Sequence, residues 1–395
     1  MKLLWLASWY PNPYEPVNGD FIQRHAQAVA ELTPIDLIHV VQAGHRLPVE
    51  NEQVWTNKKK GLTEYIHAFK FKTLGNDWLD KIRYNILYHH YYKKIIAAYI
   101  AQNGRPDLIH VHVPVKAGLV AIAVVKKYGI PFIVSEQSSH YETASPDYFF
   151  KRSNYFQRNT KRIFKEAIAV TNVSATIGKK LQSIFDIKNY RTIHNLADTD
   201  LFYYQPKERN NKLRFLHVSA MVEQKNPAGI IKALAQFNNL FKDWECTFCG
   251  PYKNDLQLLT TQLGLEKQIQ FTGEIDYVRV ATAMQQADVF ILFSNHENFP
   301  CVVVEALCCG LPVIAANAGG VAEAVNESNG IIVAAANIDE LAKAMYKVAP
   351  NIHHYDREEI SKNAIAQYNK KIIAAQFVEL YNEIVSKNDG KPQKK

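Results

Sequence analysis

Short apolar runs alternate with longer mixed stretches along most of this chain. In the first half they are KLLWLAS (residues 2–8), IDLIHVV (35–41), DLIHVHV (107–113), PFIVSE (131–136) and AIAVTNV (167–173). Runs this short and this uniformly apolar suit strands covered on both faces. Their alternation with helix-length segments predicts a doubly wound α/β domain. A strand-like YRTIHNLA (190–197) leads into the polar run KERNNK (207–212), which reads as an interdomain linker. A second α/β series follows in LRFLHVSA (213–220), CTFCG (246–250), IQFTGE (269–274), DVFILFS (288–294), PVIAA (312–316) and GIIVA (330–334). Near the end, Ile372, Ile373, Phe377, Leu380, Tyr381 and Ile384 recur with helical spacing and predict a helix with one apolar face. The expected division is a domain over 1–205, a second over 206–368, a helix over 369–386 and a disordered tail over 387–395.

With 395 residues, 47% apolar and 21% charged, the chain has enough material for two cores and is not disordered in composition. The opening MKLLWLASWYP reaches polar and aromatic residues before an apolar signal core can form. The longest apolar stretch, residues 118–125, falls far short of the ~20 residues that span a bilayer. The expectation is a cytoplasmic protein, at most peripheral at the inner face of a membrane. Cys246 and Cys249 lie in a strand-like run and Cys308 and Cys309 in a helical one, so buried thiols are favoured over a zinc site.

The net charge of +8 is unevenly placed. Residues 58–94 hold nine Lys/Arg against three Asp/Glu, and residues 151–165 hold six against none, so the remainder is net −4. The first of these segments also carries YNILYHHYYKK (84–94). A basic aromatic face suits anionic lipid head groups or a phosphorylated acceptor, and equally a plain solvated surface. No nucleic-acid motif accompanies the charge.

The densest chemistry lies in SNHENFPCVVVEALCCGLPVIAANAGGVAE (294–323). After an apolar strand, Asn298 reads as a helix N-cap and Pro300 as a first-turn residue. Gly310 and Pro312 close the helix, expected over about Phe299 to Cys309. Glu297 precedes the helix and Glu305 rides on it, while the free N–H groups at its start suit an anion. Two glutamates alone are more often a surface carboxylate and a capping one. With Gly-Leu-Pro-Val and Gly-Gly-Val-x-Glu downstream, the stretch resembles the donor-site signature of retaining glycosyltransferases of family 4 (glycosyl transferases group 1).

That resemblance implies the GT-B architecture, two Rossmann-like domains facing a cleft. It assigns Glu297 to the transferred sugar and Glu305 to the nucleotide ribose, with Asn298, Phe299, Pro300 and Cys301 around the phosphates. In HVSAMVEQKNP (217–227) it places Lys225 on the donor diphosphate, with a helix beginning at Asn226 or Pro227. An arginine usual five residues earlier is Ala220 here. Gly250, after the strand CTFCG, is a further donor-side candidate. In the N-terminal loop, Gly19 and Asp20 are candidates beside the donor and acceptor, Arg24 and His25 weaker ones. A histidine that many relatives carry after PFIVSE corresponds to Gln137, leaving Gln137 or His140 as candidate sugar or acceptor contacts. His110 and His112 alternate on DLIHVHV, and at most one is expected to face a ligand.

The implied activity is metal-independent transfer, without a cofactor, from a nucleotide diphosphate sugar to a glycan or lipid-linked acceptor of cell-envelope polysaccharide assembly, UDP being the commonest carrier. Two rivals stay open: a nucleotide-sugar-binding partner subunit without catalysis, suggested by Ala220 and Gln137, and a nucleotide-sugar epimerase of the same fold.

Overall fold

The computed structural model describes residues 1–42, 52–188, 190–207 and 212–389. Most of the expected linker run, and residues 390–395 of the expected tail, lie outside them.

Among the described residues the strands form two sheets. The first comprises β1 (Leu3–Ala7), β2 (Ile35–Gln42), β3 (Glu52–Lys59), β4 (Leu62–Phe69), β5 (Leu108–His112), β6 (Phe132–Glu136), β7 (Val170–Asn172) and β8 (Tyr190–Thr192), in the order β3-β4-β2-β1-β5-β6-β7-β8. The second comprises β9 (Leu213–Val218), β10 (Trp244–Cys249), β11 (Ile269–Gly273), β12 (Val289–Leu292), β13 (Val313–Ala316) and β14 (Gly330–Val333), in the order β11-β10-β9-β12-β13-β14. All pairings are parallel except β3 on β4. Parallel strands need crossovers. These are α1 (Asp20–Ala30), α2 (Asp77–Asn103), α3 (Ala117–Tyr128), α4 (Asn154–Glu166) and α5 (Ala175–Phe185) in the first half. In the second they are α6 (Pro227–Phe237), α7 (Asn254–Gln262), α8 (Tyr277–Gln286), α9 (Cys301–Cys308) and α10 (Val321–Ala324), with α11 (Ile338–Val348) following the last strand. Two closing helices, α12 (Arg357–Tyr368) and α13 (Lys370–Asp389), complete the chain. This is the GT-B arrangement of two parallel-sheet Rossmann-like domains.

The β3–β4 hairpin is an addition to the expected strands. Its residues from Lys58 on fall in the basic stretch, and β3 is an edge strand carrying Lys58 and Lys59 on solvent, charge that protects an open edge. Gly61 turns the hairpin at φ +74°, where a Cβ would lie 2.1 Å from the Ala30 carbonyl oxygen.

One buried apolar cluster joins Val120, Val134 and Phe202 on the first side to Phe290, Val303 and Tyr368 on the second, so the two halves share packing. The other face of the first sheet is covered by α1 and α13 together: Trp5, Leu37, Ile22 and Val29 pack with Ile373, Phe377 and Tyr381. Asn369 breaks the helix between α12 and α13 with extended backbone, and its side chain then accepts from Ile372 N–H at 3.0 Å. The Tyr381 hydroxyl meets His110 Nδ1 at 2.7 Å. Two details depart from expectation. The helix extends three residues beyond 386, with Lys387 in the last turn where a cation suits the dipole. Ile372 is exposed, at the edge of the apolar stripe.

Candidate active site

Each sheet reverses its strand order once, between β1 and β5 and between β9 and β12. Loops leaving the carboxyl ends of strands at such a point line the crevice where ligands bind. The loops after β1, β9 and β12 carry most of the candidate residues.

On the second-domain side, buried His217 near the end of β9 shapes the loop that follows. Its Nδ1 meets the Ile291 carbonyl at 2.9 Å and its Nε2 meets Ser219 Oγ at 2.8 Å; that hydroxyl accepts from Met221 N–H at 3.0 Å. Burial pushes the His217 pKa down to about 4, so the ring is a neutral structural link. Gly250 ends β10 at φ +136°, and a Cβ there would sit 1.8 Å from the Ser219 carbonyl oxygen; only glycine lets the two chains approach. A short 3-10 turn, Glu223–Lys225, comes next, and Asn226 caps α6 by accepting from Gly229 N–H at 3.1 Å.

This turn is zipped to the loop after β12. Asn295 N–H donates to Gln224 O at 2.8 Å, Gln224 Nε2 to His296 O at 2.9 Å, and Asn295 Nδ2 to Glu223 O at 3.0 Å. The zipper brings Lys225 Nζ to 2.6 Å from Glu297 Oε1, and Ser294 Oγ donates to the same oxygen at 2.7 Å. Glu297 is 5% exposed, and Glu305, in the second turn of α9, is 1% exposed.

The helix carrying Glu305 begins at Cys301, not Phe299, and Asn298 is not its N-cap. Asn298 Nδ2 instead donates across the cleft to the Gln137 carbonyl at 2.6 Å. Phe299 is buried flat against His194, centroids 4.3 Å apart, and its carbonyl accepts from Asn195 Nδ2 at 2.6 Å. Pro300 stands at the cap position with no side-chain cap, leaving the first-turn N–H groups uncapped by side chains. Cys301 is half-buried, and burial raises its thiol pKa to about 12.

From the first domain, Gly19 opens α1 at φ +73°, where a Cβ would lie 2.7 Å from the Trp9 carbonyl carbon. One turn on, Arg24 Nη2 bonds Asp20 at 2.8 Å and Nη1 bonds Glu305 Oε1 at 2.6 Å. The Tyr277 hydroxyl accepts from Arg24 Nη1 at 2.6 Å and donates to Glu305 Oε1 at 2.5 Å. Burial works against the charge on Arg24, but Cys301, Glu305, Tyr277 and Asp20 outweigh it and hold its pKa above the usual guanidinium range. Neither side chain was singled out in the sequence: Tyr277 lies outside the recognised motifs, and Ser294 opens the 294–323 stretch as an ordinary strand-end serine.

Gln137 and His140 part company. Gln137 is buried, 3.3 Å from His25 Nδ1, and its backbone meets Asn298. His140 bonds Ser138 Oγ at 2.9 Å and packs edge-on against Phe156, contacts that stay within its own domain. His110 and His112, of which at most one was expected to face a ligand, are both fully buried on one face of β5, His110 edge-on to Trp5 and His112 tilted against it. Spacing of two puts them on the same side of the strand. An open surface cavity of about 630 Å³ lies elsewhere, walled by Asn326, Lys347, Asn363 and Gln367.

The geometry therefore unites Lys225, Glu297, Glu305, Asn298, Gln137, Asp20 and Gly19 about one cleft. Residues 202–367 match the model of the glycosyl transferases group 1, and residues 38–201 that of glycosyltransferase family 4. A Bacillus subtilis glycosyltransferase assigned to teichuronic acid biosynthesis, TuaC, is 22% identical over 95% of both chains. The N-acetyl-alpha-D-glucosaminyl L-malate synthase of Bacillus anthracis is 21% identical over 84% of this chain and 93% of its own. Among solved structures, sucrose-phosphate synthase from Thermosynechococcus elongatus superposes with TM-score 0.78 at 19% identity, over 98% of this chain and 100% of that one. Anabaena HepE, in complex with UDP, gives 0.70 at 19% identity over 97% and 100%. The chain belongs to glycosyltransferase family 4, the glycosyl transferases group 1, and is a GT-B glycosyltransferase that uses a nucleotide-sugar donor.

Proposed function

We propose that this protein transfers a hexosyl or N-acetylhexosaminyl group, with retention, from a UDP-sugar to a glycan or lipid-linked acceptor in cell-envelope polysaccharide synthesis. The observation that carries the donor site is the pairing of Lys225 with Glu297 at 2.6 Å, beside Glu305, at the strand-order reversal of the second sheet. UDP is favoured because it is the nucleotide bound in the similar Anabaena structure.

In this reading the ribose hydroxyls donate to Glu305 and the sugar hydroxyls to Glu297. The diphosphate lies between Lys225 and the free N–H groups opening α9. As the bond from the sugar's anomeric carbon to phosphate oxygen breaks, its electron pair goes to the diphosphate, where the Lys225 charge stabilises it. The acceptor hydroxyl attacks the same face and its proton passes to the leaving phosphate, so no metal and no protein base is required. Gln137 and Asn298 bring the acceptor domain to the donor loop, and closure keeps water from the donor.

The membrane side of the proposal rests on α2. Trp78, Ile82 and Ile86, spaced four apart, are 69%, 40% and 63% exposed, with Leu74 and Leu79 beside them and Lys72 and Lys81 on the surface. Exposed apolar residues flanked by cations suit an anionic bilayer surface and a lipid-linked acceptor delivered from it. No helix among the described residues is long and apolar enough to cross a membrane, so attachment would be peripheral and cytoplasmic.

Calorimetric titration with UDP, GDP and ADP, repeated with Glu305→Ala, tests the donor site. Selective binding lost in the variant supports the reading. Selective binding without turnover on any acceptor would favour the second reading, a nucleotide-sugar-binding partner subunit, for which Ala220 in place of a cation speaks, and binding of none of the three would defeat the donor-site reading.

A further inference from the structure

The two cleft carboxylates are occupied in the same way. Glu297 holds Lys225 at 2.6 Å, and Glu305 holds Arg24 at 2.6 Å. Glu305 Oε1 receives two donors at once, Arg24 Nη1 and the Tyr277 hydroxyl. A ribose diol that donates one hydroxyl to each oxygen of that carboxylate finds Oε1 already saturated, so a nucleotide seated in this way on Glu305 competes with the guanidinium. The displaced charge is not free to leave. Its side chain is only 17% exposed, it rises from α1 beside the start of α9, and its Nε is buried with no partner. Asp20 still holds Nη2 at 2.8 Å, but Nη1 released from Glu305 and the unpartnered Nε are donors that a second anion satisfies.

Of the two positions that the family resemblance assigns to cations on the diphosphate, the second domain keeps Lys225 and has Ala220 at the other. Resting on the donor-site reading, we propose that Arg24 is the second diphosphate-binding cation. It is held on Glu305 until the nucleotide arrives, then exchanges that carboxylate for phosphate oxygens as the ribose takes its place. Arg24 belongs to the first domain, so the full charge on the leaving group is assembled only when the two domains meet. A donor bound to the second domain alone meets one cation, and its bond to the sugar is less activated toward water.

The test is calorimetry on the full-length protein with UDP and with uridine, which lacks the phosphates. Arg24→Ala should weaken UDP by about tenfold or more, the range of one charge-assisted contact, while uridine binds as well as to wild type or better. Retained uridine binding shows that the site is folded. Adding Ala220→Arg to Arg24→Ala should restore most of the UDP affinity, a rescue that a purely structural arginine would not permit. Equal gains for UDP and uridine in Arg24→Ala would overturn the proposal and leave Arg24 a mere competitor for Glu305. Equal losses for both would also overturn it, making Arg24 a support of Glu305. Wild-type protein that binds neither UDP, GDP nor ADP would instead defeat the donor-site reading on which this one stands.

Discussion

Glu323, from the second domain, clamps Thr176 at the start of α5 in the first, accepting from its N–H at 2.9 Å and its hydroxyl at 2.8 Å. A third bond comes from Ala175 N–H at 2.8 Å. The carboxylate meets the positive end of that helix, so charge, dipole and hydrogen bonding act together across the cleft. Glu323→Ala should lower the unfolding free energy by about 1 kcal/mol, the range of an exposed helix-terminus contact, and Glu323→Gln by less. Small-angle scattering should show a larger radius of gyration for the alanine variant. An unchanged radius would mean that other contacts hold the domains.

Lys225→Ala should reduce turnover by about 10² to 10³, the range seen when one preorganised charge or donor is removed from a transition state. Lys225→Arg, which keeps the charge, should recover part of it. Steady-state kinetics with a UDP-sugar would read this; unchanged turnover in the alanine variant would remove Lys225 from leaving-group stabilisation.

Glu305→Ala should raise the dissociation constant for UDP, whereas Glu297→Ala should lower turnover with little change in UDP binding. The distinction follows from the roles proposed for the two carboxylates, Glu305 on the ribose and Glu297 on the sugar that UDP lacks. Titration and kinetics on the two variants should therefore give opposite profiles, and matching profiles would merge the two roles.

Gly319→Ala tests the loop that supports Glu297. At φ +57° a Cβ would lie 2.0 Å from the Glu297 carbonyl oxygen, so backbone must move. A loss of about 2 kcal/mol in stability is expected, combining positive-φ strain with the clash. Turnover should fall further than stability alone explains, because the displaced group is the backbone of Glu297.

Acid should destabilise the fold through its buried histidines. Burial pushes the pKa of His25 down to about 3 and those of His39 and His217 to about 4. Below about pH 6.5 the unfolded chain protonates these rings and the folded chain does not. Stability is therefore full above that pH and falls as pH drops toward 4, by about 1.4 kcal/mol per pH unit for each such ring. Thermal melts between pH 7.5 and 4.5, on wild type and His39→Gln, should show the variant losing less per unit. Parallel curves would exclude His39 from the effect.

Much of the architecture was legible because both-faces-buried strands are short and apolar. KLLWLAS and DVFILFS could be read that way, and Gly310 and Asn226 marked helix ends by their own backbone demands. What was hidden lies in partners far apart in sequence. Asn298 has the side chain of an N-cap, yet the cleft offered it the Gln137 carbonyl instead. Nothing local to Arg24 points to Glu305, 281 positions away. Glu323 fell inside a recognised motif, but its partner is a helix start in the other domain. The β3–β4 hairpin escaped because its edge strand carries solvent-facing charges, and a run of lysines looks like loop.

The packing of α13 on the first domain has a consequence for synthesis. A ribosome that has reached residue 205 has made every strand of the first sheet and α1, but not the helix whose Phe377 and Tyr381 close over Trp5 and His110. The earliest half of the chain thus emerges with one face of its sheet half covered, and must keep it from other chains while the second domain is built. Helix α13 acts as the bolt that closes over β1 and β5. A stop codon between α12 and α13 would release a molecule with every strand of both sheets but without the helix that covers the first.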